Sequence, residues 1–170
     1  ADCRELAGLT HHENQVRHVF LGGRRHRLCS QRIAAVHSSA SQSGAGQSLR
    51  REKDNRSLAE SGSIRTAGAG KLITVDVREE ACHMSKELGA DNAINASCID
   101  PVEAIRELTE GNGVDVVFEC AGGSPKQGLS GIKSLMQAVG AVRSGGKIIG
   151  VSWFGEPLEI DVDRLRERSL

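Results

Sequence analysis

The chain has 170 residues, enough for one ordinary domain of about 100–150 residues. Lys and Arg together number 22, as do Asp and Glu, so the net charge favours neither nucleic acid nor a membrane surface as a partner. The sequence has no apolar run of about 18 residues and no secretory signal, so we expect no transmembrane helix and no export. The cysteines are odd in number and scattered, which favours free thiols in a reducing, cytoplasmic compartment: Cys3, Cys29, Cys82, Cys98 and Cys120.

The first 66 residues have the composition of a poorly structured segment. They carry an excess of basic residues, whereas residues 67–170 carry an excess of acidic ones. Their apolar patches, such as Ile33 to Val36, are too short to offset the entropy cost of ordering the chain. We predict disorder or a marginal helix around residues 13–20; an alternative is a segment foreign to the rest of the chain, such as a wrong reading frame or a mispredicted gene start would give.

Two clusters in this segment invite a functional reading, and neither has the expected context. His11, His12 and Glu13 lack the ligand spacing of a zinc site. The basic run from Arg24 to Arg27 lacks the aromatic residues that nucleic-acid-binding surfaces use. The sequence therefore predicts no metal site and no nucleic-acid partner here.

Regular patterning begins at Lys71. Residues 72–77 form a β-branched apolar run typical of a buried strand, and residues 78–88 then suit a helix that ends before Gly89. That helix is expected to turn Ala81, Met84, Ser85 and Leu88 towards the core. A short strand is expected at residues 92–95.

The second half of the pattern repeats this alternation. Asp100 as N-cap and Pro101 as first helical residue predict a helix over 101–110, closed by the glycines at 111–113. Residues 114–119 predict another buried strand, residues 125–142 a glycine-weakened helix, and residues 147–151 a last strand after the Gly145–Gly146 turn. Alternating strands and helices predict an α/β fold, a doubly wound parallel sheet.

Ligands of such sheets bind beyond the carboxyl ends of the strands. Asp76 can accept hydrogen bonds from the ribose hydroxyls of a nucleotide and repel a 2′-phosphate, which favours NAD over NADP, although the nearby Arg78 could favour NADP. Alternatively, Asp76 only caps the following helix. The other residues expected at this edge are Cys120, Ala121, Gly122, Gly150, Val151 and Ser152.

The segments GKLITVDV, LGAD, GVDVVFECAG and GGKIIGV occur in the order found in a known family. Residues 67–170 resemble the nucleotide-binding domain of zinc-dependent medium-chain alcohol dehydrogenases, in particular the threonine, sorbitol and alcohol dehydrogenase-like group. The resemblance implies a Rossmann domain that binds a dinucleotide, in a parent family of homo-oligomers. It also implies that Asp76 contacts the adenosine ribose, that Cys120 lines the cofactor pocket, and that Ser152 lies near the nicotinamide.

The chain departs from this family in three ways. No strand is expected before Gly44-Ala45-Gly46, so we predict that the phosphate-binding loop and the first strand are absent and that the 72–77 strand has an exposed edge prone to aggregation. The Gly-His-Glu motif and the other zinc ligands of the family do not occur. The chain is also expected to stop short of the family's last strands.

A partial Rossmann domain without catalytic or metal residues is therefore the expectation, as a fragment of an NAD-dependent alcohol or polyol dehydrogenase. The alternatives are a non-catalytic nucleotide-binding module, an inert truncated gene product, or a methyltransferase, whose second strand also ends in a ribose-binding acid. Cys-Ala-Gly after the 114–119 strand favours the dehydrogenase over the methyltransferase.

Overall fold

The structure, a computed structural model, describes residues 2–9, 32–36, 69–124, 130–155, 157, 159–167 and 169–170. Its centre is one five-stranded sheet in the order β3-β2-β1-β4-β5, and every pair of neighbouring strands is parallel. The α/β fold with a parallel sheet is therefore confirmed. The strands are β1 (Arg32–Val36), β2 (Lys71–Asp76), β3 (Asn92–Asn95), β4 (Val114–Glu119) and β5 (Val142–Gly150). The helices are α1 (Cys3–Ala7), α2 (Glu79–Glu87), α3 (Pro101–Leu108), α4 (Ile132–Ala141) and α5 (Val162–Glu167).

The central strand of the sheet comes from the segment expected to be unstructured. β1 pairs with β2 from Arg32↔Lys71 to Val36↔Val75, and with β4 from Ile33↔Val116 to Val36↔Glu119. The prediction that the sheet lacks its first strand is therefore wrong, and so is the prediction of an exposed β2 edge. A run of five residues is too short to form a hydrophobic core alone, but it is an ordinary length for a strand that pairs with another strand on each side.

The capping residues of α3 and the end of α2 are as predicted. Asp100 Oδ1 accepts hydrogen bonds from the backbone N–H groups of Val102 (2.8 Å) and Glu103 (2.9 Å), and Pro101 occupies the first turn. Gly89 follows α2 with φ +99°, a conformation that residues with a Cβ rarely adopt. These local signals place both helices within two residues of their predicted bounds.

The inward face of α2 agrees with the prediction only in part. Ser85 is buried as predicted, whereas Met84 and Leu88 are 43% and 41% exposed and Cys82, which was not predicted to face inward, is buried. The Cys82 thiol lies 3.5 Å from the carbonyl oxygen of Ile94, so this small side chain allows close approach of the helix to β3. Ala81 is only half-buried.

The last strand is longer and the helix before it shorter than predicted. The described part of α4 begins at Ile132, residues 125–129 lie outside the described ranges, and β5 already starts at Val142. Gly145 and Gly146 lie within β5, where the pairing shifts from Val114↔Val142 to Val116↔Lys147. The predicted turn is thus a bulge, which accommodates extra residues without ending the strand.

The N-terminal helix α1 packs against the β3 side of the sheet. Ala7 is fully buried, its carbonyl oxygen accepts a hydrogen bond from Asn92 Nδ2 at 2.8 Å, and Cys3 is joined to Cys98 by a disulfide. Their Cα atoms are 6.2 Å apart, within the range of about 4.4–6.8 Å usual for disulfides. The prediction of free thiols is therefore wrong for Cys3 and Cys98, because α1 folds onto the domain and brings them together.

The core lies between the sheet and helices α3 and α4. Its fully buried members include Ile73, Val75, Ile94, Ile105 and Val117. Within the described ranges, no helix is long and apolar enough to cross a membrane.

Candidate functional site

The candidate site is the carboxyl edge of the sheet on both sides of β1. In the order β3-β2-β1-β4-β5, the chain runs from β1 outward through β2 to β3, then crosses back to β4 on the other side of β1 and continues outward to β5. Ligands of doubly wound sheets bind at such a reversal, where two neighbouring loops diverge and leave a crevice. All eight predicted site residues lie at this edge, either as the last residue of β2 or β5 or shortly after β2, β4 or β5: Asp76, Arg78, Cys120, Ala121, Gly122, Gly150, Val151 and Ser152.

Asp76 is the last residue of β2 and is only 5% exposed. Its Oδ1 accepts a hydrogen bond from the backbone N–H of Arg78 at 2.9 Å, and Arg78 Nε lies 3.6 Å from the same oxygen. Arg78 is the residue immediately before α2. The Asp76 carboxylate thus fixes the backbone of Arg78 just before α2, whereas within the described ranges no side chain caps the N–H groups of the helix itself.

Cys82 lies behind Asp76 and is buried. Burial, followed by the negative charge of Asp76, raises the pKa of the Cys82 thiol to about 11. The thiol is therefore protonated at neutral pH, so Cys82 is unsuited to be a nucleophile or a metal ligand.

The turn after β4 contains Cys120, Ala121 and Gly122. Cys120 is half-buried and is not part of a disulfide, whereas Ala121 and Gly122 are buried. Gly122 has φ +47°, and a Cβ at this position would lie 2.8 Å from the carbonyl oxygen of Trp153. Only glycine fits, because the turn after β4 touches the segment after β5.

Glu119, the last residue of β4, was not among the predicted site residues. Its side chain is fully buried, and Oε1 accepts hydrogen bonds from the backbone N–H groups of Ala121 (3.1 Å) and Gly122 (2.9 Å). Its other oxygen, Oε2, accepts a hydrogen bond from the Ser152 hydroxyl. The signal in the sequence is an acid at the end of an apolar strand, followed by small residues.

The segment after β5 completes the edge. Gly150 has open space where a Cβ would be, and Val151 beside it is exposed. The Val151 N–H donates to the Glu119 carbonyl oxygen at 2.9 Å, so the segment is held to the end of β4. An open glycine next to a fixed backbone lets a flat ligand approach closely.

The described residues do not form a site suited to zinc. No three His, Cys, Asp or Glu side chains in the described ranges are placed to hold a metal ion. Gly44-Ala45-Gly46, His11, His12 and Glu13, and the helix predicted around residues 13–20, lie outside those ranges. No reaction step through a metal follows from this part of the chain.

Comparison with known proteins is consistent with this geometry. Residues 63–170 match the family described as zinc-binding dehydrogenases. The L-threonine 3-dehydrogenase of Symbiobacterium thermophilum is 35% identical over 96 residues, which are 56% of this chain and 25% of that protein. An NAD-dependent alcohol dehydrogenase of Saccharolobus solfataricus is 40% identical over 87 residues, 51% of this chain and 23% of that protein.

A solved structure is similar over a longer part of the chain. Benzyl alcohol dehydrogenase from Acinetobacter calcoaceticus has a TM-score of 0.61 and 27% identity, covering 84% of this chain and 34% of that one. The chain therefore spans about a third of the length of this structure, and about a quarter of the length of the two curated relatives.

Proposed function

Because the chain belongs to the zinc-binding dehydrogenase family, we propose that the carboxyl edge of its sheet binds NAD for a dehydrogenase acting on an alcohol or polyol. The observation that carries this proposal is the convergence of the ends of β2, β4 and β5 at the strand-order reversal. The proposed nucleotide-binding unit comprises residues 67–170 together with β1, and so extends beyond the boundary at residue 66 predicted from the sequence.

The adenosine half would bind at the end of β2. Asp76 supplies a carboxylate there, and ribose hydroxyls are good donors to such an acceptor. The same negative charge disfavours the 2′-phosphate of NADP, which supports NAD as the preferred cofactor. Arg78 holds its guanidinium against Asp76 at 3.6 Å and thereby offsets part of that preference.

The nicotinamide half would lie beside the ends of β4 and β5. Gly150 provides the open space, and Gly122 and Ser152 border it, with Cys120, Ala121 and Val151 as neighbouring wall residues. NAD, when bound, supplies the hydride acceptor of a dehydrogenase reaction. The chain's own residues bind and orient it, and we assign no acid, base or metal ligand among them.

We also propose the setting implied by the parent family, a homo-oligomer in the cytoplasm with the dinucleotide as ligand and neither nucleic acid nor membrane as partner. The Cys3–Cys98 disulfide is unusual for that reducing compartment and does not support this part of the proposal. The relatives whose names include threonine or alcohol support a hydroxyl-bearing substrate, which we propose without a further choice among alcohols.

The test is calorimetric titration of the full chain with NAD and with NADP. We expect saturable NAD binding, weaker NADP binding, and a roughly 10- to 100-fold higher NAD Kd for Asp76→Ala, since hydrogen bonds to a charged group are worth about 1.5–3 kcal/mol. Arg78→Ala is the matched variant and should weaken NADP binding more than NAD binding. Equal NAD affinity for wild type and Asp76→Ala would refute the ribose role, and no binding at millimolar NAD would refute the proposed function.

A further inference from the structure

Glu119 joins two segments of the candidate site through one buried carboxylate. Oε1 accepts from the N–H groups of Ala121 and Gly122 in the turn after β4, and Oε2 accepts from the Ser152 hydroxyl after β5. The side chain is fully buried, although carboxylates are rarely buried without strong partners. The Glu119 carboxylate has such partners, because its two oxygens accept three hydrogen bonds. These bonds hold the side chain in a single arrangement.

The backbone around Glu119 reinforces the same junction. Its carbonyl oxygen accepts from Val151 N–H at 2.9 Å, and the N–H of Gly123 donates to the Trp153 carbonyl oxygen at 2.6 Å. These two hydrogen bonds connect the end of β4 and the turn after it to the segment after β5, one before and one after the residues that the Glu119 side chain contacts. The Glu119 side chain lies between the bonds and fixes how the turn of residues 120–122 faces residues 150–152.

We infer that Glu119 is a positioning residue that sets the affinity of this edge for the nicotinamide half of the dinucleotide. It acts through Gly122 and Ser152 and is not itself placed to touch the ligand, because it is covered on all sides. The inference rests on the proposed function, since it names what holds the nicotinamide side of the same site. Without the carboxylate, both N–H groups and the hydroxyl lose their shared acceptor, and the two segments are free to separate.

The test compares variants with two ligands, NAD and ADP-ribose, which lacks the nicotinamide. Glu119→Leu removes all three hydrogen bonds, and we expect its NAD Kd to rise at least 10-fold while its ADP-ribose Kd changes less than 3-fold. Glu119→Gln keeps an amide oxygen for the two N–H groups and an amide N–H for the Ser152 oxygen, so it should stay within about 3-fold of wild type for both ligands. The fluorescence emission of Trp153, the single tryptophan of the chain, is a second measurement, because this residue lies beside the junction between the two segments.

Two further variants separate positioning from general loss of stability. Val117→Ala opens a cavity in the same strand without touching either segment, so it should lower the unfolding temperature and leave both Kd values unchanged. Glu119→Met, whose side chain is close to glutamate in length, removes the same three bonds without changing a residue that borders the nicotinamide, which keeps the test decisive if Glu119→Leu does not fold.

The outcomes distinguish failure of the inference about Glu119 from failure of the proposed NAD-binding function. Wild-type binding of both ligands with a selective NAD loss in Glu119→Leu or Glu119→Met supports the inference. Wild-type binding with unchanged NAD affinity in these variants, or with equal losses for both ligands, overturns the inference and leaves the proposed function standing. No wild-type binding of either ligand overturns both.

Discussion

The placement of β1 in the middle of the sheet can be tested by one proline. Ala34 pairs with Ile73 of β2 and Val117 of β4, so Ala34→Pro removes a backbone donor from a strand that has neighbours on both sides. The lost hydrogen bond is worth about 1 kcal/mol, and leaving its carbonyl partner buried without a donor costs about 1–3 kcal/mol more. We therefore expect a loss of about 2–4 kcal/mol in the free energy of unfolding, a large part of the roughly 5–15 kcal/mol typical of a domain.

Urea unfolding followed by far-UV circular dichroism measures this loss. With a slope of about 1–3 kcal/mol per molar urea, the midpoint should fall by one molar or more. Val162→Pro is the matched control, because the first residue of α5 tolerates proline and its side chain is exposed. An Ala34→Pro midpoint equal to that of Val162→Pro would show that β1 is not in the sheet.

Three further predictions concern local interactions. Asp100→Ala should lower the free energy of unfolding by about 1 kcal/mol in urea titrations, because two N–H groups lose their cap; an unchanged midpoint would contradict this role. Gly113→Ala should destabilise more than Gly111→Ala in thermal melts, since both have positive φ but a Cβ at 113 would lie 2.5 Å from the Ala141 carbonyl oxygen. Cys82 binds its proton more tightly in the folded chain than in the unfolded chain, so its contribution to stability should be complete below about pH 9 and lost as the pH rises through about 11. Urea midpoints over this pH range should fall more steeply in wild type than in Cys82→Ala, and equal slopes would contradict the reasoning.

The elements that could be predicted are those with local signals. Asp100 and Pro101 define the start of α3, Gly89 defines the end of α2, and the apolar run of Val114–Glu119 gives β4 with its observed bounds. Each depends on residues that are adjacent in the chain. The carboxyl-edge position of Asp76, Gly122 and Gly150 followed from the same order of strands and helices.

The features that could not be predicted depend on residues far apart in the chain. β1 is stabilised by β2 and β4, which the composition of residues 1–66 does not reveal. The Cys3–Cys98 disulfide requires α1 to pack near β3. Glu119 was missed because its partners include Ser152, 33 positions away, and an acid at a strand end is usually interpreted as solvent-exposed or ligand-binding.

The central claim is that the carboxyl edge of the sheet binds NAD, and backbone amide NMR of the full chain titrated with NAD tests it most directly. We predict saturable shifts that group at residues 76–78, 120–123 and 150–153, with the N–H signals of α5 unchanged. Shifts that group elsewhere, or an absence of saturable shifts at millimolar NAD, would contradict the claim.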